Sequence, residues 1–550
     1  MPETINHNMS VQDLSALPEH WESLGHAFLH QARTQPHAIA IRDSSGISMT
    51  YHDTLLRSIA LANILHKRLG KTELVGVLLP PSAGAALVNI ALTLLGKVPV
   101  NLNYTSSQNT FNQYLSLCDF DHIVTSRRII ERFPFDSTAR YLPIERLRQD
   151  ASLLLKAVSW SEADLVPEGL LGHMLAGLKK TEGKLDETAT LLFTAGSTGD
   201  AKGVLLSHRN ILSNVHAIQQ QARLSNREVV LGVVPFFHSF GFTLTLWAVL
   251  ALGHTAIYHY DPRDCRRIGN LCERFRPTVM FCTPTIMRAY LKRSKKEQFE
   301  SIRICILGGE KVKPALAQDI ERELGIIATE GYGLTETAPV IACNIPGKVV
   351  LRDGREIDGT RVGTVGLPLP GTTIRILGLE NGLEKKPFEE GSIEVKGPQV
   401  MKGYFHNEEA TRAVMHDGWF RTGDLGFLDN DGFLTISGRM SQFSKIGGEM
   451  VPHLQVEREI VHVAGCEEQN VSVTSVPDDN RGEKIVVVHT KLPKTPEEIV
   501  SELKAENVIP TLWVPDAKDF VEVDELPVLT TGKLDLCQIR KIAGSRVFSP

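Results

Sequence analysis

Short apolar runs alternate with segments of helical periodicity along the first half of the chain, and this alternation constrains the fold most. Trp21 to Gln35 sets Trp21, Leu24, Phe28, Leu29 and Ala32 on one helical face. Ala38 to Arg42 and Leu74 to Leu79 read as short buried strands, Ala83 to Leu95 as a helix, and Phe120 to Thr125 as another strand. The pattern returns at Val229 to Val234, Thr255 to Tyr258, Val279 to Thr283 and Ile302 to Leu307. Strands spaced by helices in this way predict α/β layers.

The texture changes at about Gly359. Gly363 to Gly366, Gly371 to Thr373, Glu390 to Val395 and Asp424 to Phe427 read as short strands with glycine turns, which predicts a β-rich subdomain. Asp431-Gly432 reads as a hairpin turn. After Gly438, Val471 to Val476 and Glu483 to His489 read as strands and Pro496 to Glu506 as a helix. The expected division is a large N-terminal domain, residues 1–437, and a small α+β domain, residues 438–550.

Composition narrows the class. With 42% hydrophobic and 22% charged residues the chain can bury a large core, which excludes disorder and collagen-like repeats. A net charge of −5 over 550 residues argues against a general nucleic-acid binder. The cysteines, Cys118, Cys265, Cys272, Cys282, Cys305, Cys343, Cys466 and Cys537, form no CxxC pair and no Cys/His cluster, so reduced core thiols are expected rather than a zinc site. Met1 to Ser15 lacks the apolar core of a signal peptide. Thr243 to Gly253 is far shorter than the ~20 residues of a membrane helix, and Ala83 to Val100 is interrupted by Asn89, Gly96, Lys97 and Pro99. A cytoplasmic protein without a spanning helix is expected. Peripheral membrane contact and oligomeric state stay open.

The sharpest local signal is Thr194-Ala195-Gly196-Ser197-Thr198-Gly199-Asp200-Ala201-Lys202-Gly203, after the strand-like Ala189 to Phe193. Glycines let the backbone approach a polyanion, hydroxyls and free N–H groups bind phosphate oxygens, and Lys202 adds a point charge. The string predicts a polyphosphate-binding loop. It is not a Walker A loop, because Asp200 follows Gly199 where that motif needs lysine.

With Val204 to Asn210 behind it, this string resembles the signature loop of the adenylate-forming superfamily, which includes acyl-CoA synthetases, peptide-synthetase adenylation domains and luciferases. Further matches follow in the expected order. His238, in Pro235 to Gly241, matches the histidine of the aromatic motif that lines the carboxylate pocket. Phe242 to Leu252 either walls an acyl pocket or fills the core. Gly308-Gly309-Glu310 implies contact with adenine through Gly309 and Glu310. In Gly331 to Pro339, the resemblance implies that Gly331, Tyr332 and Gly333 lie along the base, with Tyr332 stacked on it. It further implies that Thr335 meets the α-phosphate and Glu336 holds Mg2+. Asp424, in Trp419 to Asp424, matches the ribose-binding aspartate, and Arg439 the arginine beside it. Lys533, in Leu526 to Lys533, matches the adenylation lysine. Thr194, Ser197, Thr198, Gly199 and Lys202 belong to the same nucleotide site.

The resemblance implies two α/β subdomains plus the β-rich one in the large domain, with a mobile small domain. It implies two half-reactions with ATP and Mg2+: adenylation of a carboxylate, then thiol attack on the acyl-adenylate after the small domain rotates. Lys445, in Lys445 to Met450, matches a lysine of the face presented for the second step. Ser441 stands where the hinge is typically Asp or Lys. Glu449 stands where acyl-CoA synthetases often carry an aromatic residue, so this stretch resembles the synthetase half of a bacterial acyltransferase/acyl-acyl-carrier-protein synthetase.

An HxxxxD acyltransferase signature is not expected here. His259 to Asp264 has the spacing but lies between synthetase motifs, and His20 fails because position 25 is Gly25. The implied activity is a stand-alone medium- or long-chain fatty acid–acyl-carrier-protein ligase, with holo-acyl carrier protein as partner. The alternative is a fatty acyl-CoA ligase. A luciferase-like oxygenase shares the adenylation step and would be told apart by light emission or oxygen uptake; Glu336, Asp424, Arg439 and Lys533 together argue against a non-catalytic relative.

Overall fold

A computed structural model describes residues 17–149, 184–195, 201–225, 227–351, 354–446, 449–478, 482–506, 509–528 and 534–547. Its centre is a nine-stranded sheet. From edge to edge the strands are Leu367–Pro368, Val340–Cys343, Ala328–Gly333, Ile304–Gly308, Val279–Cys282, Val229–Gly232, Thr255–Tyr258, Ile39–Asp43 and Ser48–Thr50. The six from Ala328–Gly333 to Ile39–Asp43 run parallel. The remaining edge strands run antiparallel. A parallel sheet is covered on both faces, which is why Ile304-Cys305-Ile306-Leu307 is buried at every position.

A second parallel sheet orders Val98–Asn101, Leu74–Val77, His122–Thr125 and Arg140–Pro143. The two sheets are the expected pair of α/β layers. Their helices start where the sequence provides caps: Thr50 and Asp53 form a reciprocal capping box for Tyr51–Leu69, and Ser82 caps Ala83–Leu94. These two helices pack together, and Ala83–Leu94 is buried almost all round.

The expected β-rich region is a five-stranded antiparallel sheet of Thr373–Leu377, Gly391–Lys396, Trp419–Leu428, Met415–His416 and Leu434–Arg439. Gly363 to Gly366 is a turn, not the expected strand. Gly366 has φ +92°, and a Cβ there would lie 2.0 Å from the Cys343 carbonyl carbon, so neither extended backbone nor a side chain fits. The small α+β unit carries a five-stranded sheet containing Glu449–Pro452, Phe443–Ile446, Gly482–His489, Val471–Asp478 and Phe520–Glu522. Its helices include His453–Ala464, Pro496–Glu506 and Leu536–Val547. Gly438 lies in the last strand of the β-rich sheet. Among the described residues no helix is long and apolar enough to cross a membrane.

Cys118, Cys265, Cys272, Cys282, Cys305 and Cys343 are free and buried, and Cys466 is free and half-buried. The His259–Asp264 pair is 3.5 Å apart, and His259 Nδ1 lies 2.8 Å from Ser44 Oγ. It ties the end of the strand Thr255–Tyr258 to the helix that Asp264 caps.

One strap crosses these units. The strand Gly403–Tyr404 pairs with Ala201–Ser207, which forms an antiparallel hairpin with Thr188–Ala195. Asn210 reinforces the capping of His208–Ala222 and donates through Nδ2 to the Pro398 and Val400 carbonyls at 2.8 and 2.7 Å. Asn210→Ala removes the cap partner and both strap bonds, a loss of about 2 kcal/mol. Thermal unfolding is expected to begin several degrees lower in this variant, with the chain still folded at room temperature.

Candidate active site

The expected site residues of the large domain collect at one edge because the strands carrying them are parallel. His238 follows Val229–Gly232, Gly309 and Glu310 follow Ile304–Gly308, and Thr335 and Glu336 follow Ala328–Gly333. Ligands of open α/β sheets sit at this carboxyl edge. Gly331, Tyr332 and Gly333 end the last of these strands. Gly333 admits no side chain: a Cβ would lie 1.9 Å from the Pro339 carbonyl oxygen, to which the Leu334 N–H donates at 2.9 Å. That folded-back bond holds Thr335–Thr337 as a single 3₁₀ turn.

Glu336 projects from this turn and is buried. Tyr404 donates its hydroxyl to Glu336 Oε1 at 2.8 Å, and the Met401 N–H donates to the Glu336 carbonyl at 2.8 Å. Burial raises the carboxyl's pKa, opposed by its own N–H, Tyr404 and the charges of Arg439 and Lys202. Ser239 Oγ lies 3.4 Å from Thr335 Oγ1, joining the His238 turn to the Glu336 turn. A buried carboxylate with one oxygen committed to a tyrosine and a neighbouring hydroxyl suits a hard cation. Among the described residues no three His, Cys, Asp or Glu side chains gather as a cage. The single buried carboxylate of Glu336 fits Mg2+, which takes one or two carboxylates together with phosphate oxygens.

Asp424 comes from the β-rich sheet. It sits opposite Arg439 in the Trp419–Leu428/Leu434–Arg439 ladder, and Arg439 Nε lies 3.0 Å from its Oδ1. The Tyr332 hydroxyl donates to Oδ2 at 2.5 Å. Burial, then the Asp424 charge, holds the Tyr332 phenol well above its usual pKa. A carboxylate has about four lone-pair sites, so Asp424 can accept from both of these partners and from a diol.

Thr194 and Lys202 face each other across the hairpin of Thr188–Ala195 and Ala201–Ser207. Lys202 Nζ stands 5.2 Å from the Tyr404 ring centroid. The loop tip, with Ser197, Thr198 and Gly199, lies outside the described residues, as do Lys533 and the side chain of Lys445. Lys445 itself is in the strand Phe443–Ile446, paired with Met450, and Ser441 is in the turn Met440–Gln442. His238 is half-buried in the turn that opens the π-helical segment Gly241–Trp247. That segment and Ala248–Leu252 are wholly buried.

Glu310 accepts from the Thr285 hydroxyl at 2.7 Å through Oε2, while its buried Oε1 has no partner among the described residues. A further acidic residue is one the sequence motifs do not single out. Glu330 Oε1 accepts from the Val312 N–H at 3.1 Å, and burial raises its pKa to about 7 against that bond and the Lys311 charge. Tyr404 is the second residue missed. Its position, 68 residues further along the chain, gives no local cue to Glu336.

The profile of the family described as AMP-binding enzyme matches residues 28–405. A long-chain-fatty-acid–CoA ligase of Bacillus subtilis (strain 168) is 30% identical over 522 residues, covering 89% of each chain. A feruloyl-CoA synthase of an Amycolatopsis species is 30% identical over 534 residues, covering 95% of this chain and 99% of that one. The ATP-bound crystal structure of MatB from Rhodopseudomonas palustris superposes with a TM-score of 0.72 at 25% identity, covering 94% of this chain and 98% of that one. The chain belongs to the AMP-binding enzyme family. Within it, it is an AMP-forming acid–thiol ligase of the acyl-CoA synthetase type. ATP and Mg2+ are the cofactors of the family.

Glu330 generates a signed pH prediction. Its folded pKa, about 7, lies above its ordinary value of 4.5, so its contribution to stability is full below 4.5 and is lost as the pH rises through 7. Glu330→Gln is therefore expected to gain in melting temperature relative to the parent between pH 5 and pH 8. A difference in melting temperature that stays constant across this range would exclude the shifted carboxyl.

Proposed function

We infer that this chain activates a medium- or long-chain fatty acid with ATP and transfers the acyl group to coenzyme A. The observation carrying this reading is the buried Glu336 beside Thr335 at the carboxyl edge, in a chain whose relatives include a long-chain-fatty-acid–CoA ligase. In the first step a carboxylate oxygen of the acid attacks the α-phosphorus of ATP, and pyrophosphate leaves. Two anions must meet, so the site must orient them and supply positive charge. The glycine-rich loop and Lys202 hold the phosphates, Thr335 orients the α-phosphate, and His238 borders the acid. Asp424 with Arg439 holds the ribose, while Gly309, Glu310, Gly331, Tyr332 and Gly333 border the base. Glu336 would hold Mg2+, whose charge would offset that of the phosphate oxygens. Lys533 completes the charge set.

In the second step the thiol attacks the acyl carbon and AMP leaves. The small domain, residues 438–550, is assigned a rotation between the steps. It withdraws Lys533 and presents the segment of Lys445, whose Gly447-Gly448 pair passes the pantetheine arm. One feature favours acyl carrier protein as acceptor instead: Glu449 directly after those glycines, where acyl-CoA synthetases often have an aromatic residue.

Incubation with ATP, Mg2+ and a panel of fatty acids, with ferulate as an aromatic comparison, separates the readings when CoA and holo-acyl carrier protein are offered in parallel. Acyl-CoA is the expected product. Thioester on the carrier protein alone would move the assignment to a fatty acid–acyl-carrier-protein ligase, and use of ferulate alone would overturn the fatty acid. Lys533→Ala is expected to reduce fatty-acid-dependent ATP–pyrophosphate exchange by at least roughly 100-fold, with ATP affinity largely unchanged. Undiminished exchange would remove Lys533 from the first step.

A further inference from the structure

The strap that carries Tyr404 touches Glu336 twice and the nucleotide hairpin along its length. Met401 donates its N–H to the Glu336 carbonyl at 2.8 Å, fixing the backbone of the turn. Three residues later the Tyr404 hydroxyl reaches Oε1 of the same residue at 2.8 Å. Between and beyond these contacts the strap is laddered to the hairpin. Lys402 N–H donates to the Leu205 carbonyl at 3.0 Å, Phe405 N–H to the Gly203 carbonyl at 2.7 Å, and Tyr404 pairs with Val204. Tyr404 N–H is closed by the Thr411 hydroxyl at 2.9 Å. The phenol thus has a fixed origin, is itself buried, and ends on a buried carboxylate.

The ring itself meets Lys202, whose Nζ stands 5.2 Å from the centroid. A cation at this range is attracted to the ring face. Tyr404 therefore meets an ammonium at its ring and a carboxylate at its hydroxyl, and the Lys202 charge favours the ionised Glu336 carboxyl. Direct contact between them would make an ion pair in which each neutralises the other, leaving less of either for a metal–nucleotide.

We propose that Tyr404 is a positioning residue for metal-nucleotide binding: its hydroxyl fixes the Glu336 carboxylate through Oε1, and its ring keeps Lys202 from collapsing onto that carboxylate. Oε2 accepts no side-chain hydrogen bond from the described residues, and it is the oxygen this arrangement turns to the cation. The proposal rests on the reading of Glu336 as the Mg2+ ligand. It adds that the strap Gln399–Phe405 sets metal affinity and carries the hairpin and the carboxylate as one unit.

Three variants of the full chain test it: Tyr404→Phe, Tyr404→Ala and Glu336→Gln. Binding of Mn2+ as a spin probe is titrated by electron paramagnetic resonance in the presence of α,β-methylene-ATP, whose methylene bridge cannot release pyrophosphate and so cannot transfer the adenylyl group. The thermal upshift given by the same nucleotide is measured with and without Mg2+, a readout independent of turnover. Tyr404→Phe keeps the ring and loses the donor, so Mn2+ affinity is expected to fall about tenfold, the scale of a hydrogen bond to a charged group. The metal-free nucleotide upshift stays unchanged, and excess Mg2+ restores exchange activity. Tyr404→Ala also frees Lys202 and is expected to weaken both metal and metal-free nucleotide binding.

The outcomes separate the two assignments. If Glu336→Gln weakens Mn2+ binding and Tyr404→Phe does not, the carboxylate reading stands and the positioning role of Tyr404 is overturned. If Glu336→Gln leaves Mn2+ binding intact, the ligand assignment fails, and this proposal with it. A loss in Tyr404→Phe that appears equally with and without metal marks a general packing role and also overturns the proposal.

Discussion

A carboxylate withdrawn from water organises this molecule. Placing Glu336 in the interior is costly unless its oxygens are partnered and opposite charge is near. The chain meets this demand from three separate places. Tyr404 supplies a hydroxyl from the strap, Lys202 supplies charge from the hairpin, and Arg439 supplies charge from the edge of the β-rich sheet. None of these elements belongs to the parallel sheet that carries Glu336. The carboxylate is therefore where the large domain's layers must agree, and the strap, hairpin and β-rich ladder are held in register by serving it.

The second acidic residue works by a different balance. Asp424 is also buried, but its two oxygens meet a phenol and a guanidinium that come from opposite directions. Arg439 arrives by strand register, a purely local matter of the hairpin around Asp431-Gly432. Tyr332 arrives from the end of a central parallel strand. The pair thus clamps the β-rich sheet to the carboxyl edge.

The alternating first half was legible because each parallel strand is buried on both faces and so declares itself as an apolar run. Thr255 to Tyr258 and Pro496 to Glu506 fall as read and most other strand ends shift by one or two residues, but Asp424 to Phe427 is only part of Trp419–Leu428 and Gly371 to Thr373 meets only the start of Thr373–Leu377. Gly363 to Gly366 misleads because glycine and β-branched residues mark strand and turn alike, and left-handed backbone at Gly363 and Gly366 decides for a turn. The seven-residue π-helical stretch after His238 had no signature, since Phe242 to Leu252 is apolar at every helical period. Of the site, the motif-bearing residues His238, Glu310, Thr335, Glu336, Asp424 and Arg439 could be named from sequence. Tyr404 and Glu330 could not. What distinguishes them is a partner brought in by tertiary structure: a carboxylate 68 positions away for Tyr404, and an N–H from the Val312 loop for Glu330.

The shortness of the connection between the β-rich sheet and the small sheet limits how the chain can move there. Arg439 is the last residue of the β-rich ladder and is tied to Asp424. Phe443 is the first of the small sheet and is paired with Pro452. Only Met440, Ser441 and Gln442 lie between, as one 3₁₀ turn. Any rotation of the small unit must be taken up in the backbone dihedrals of these three residues, because a ladder resists twisting and a turn does not. Ser441 at the centre of the turn needs no special side chain for this role. The same geometry makes Arg439 the fixed side of the crossing, so its pair with Asp424 can persist whichever way the residues beyond it turn.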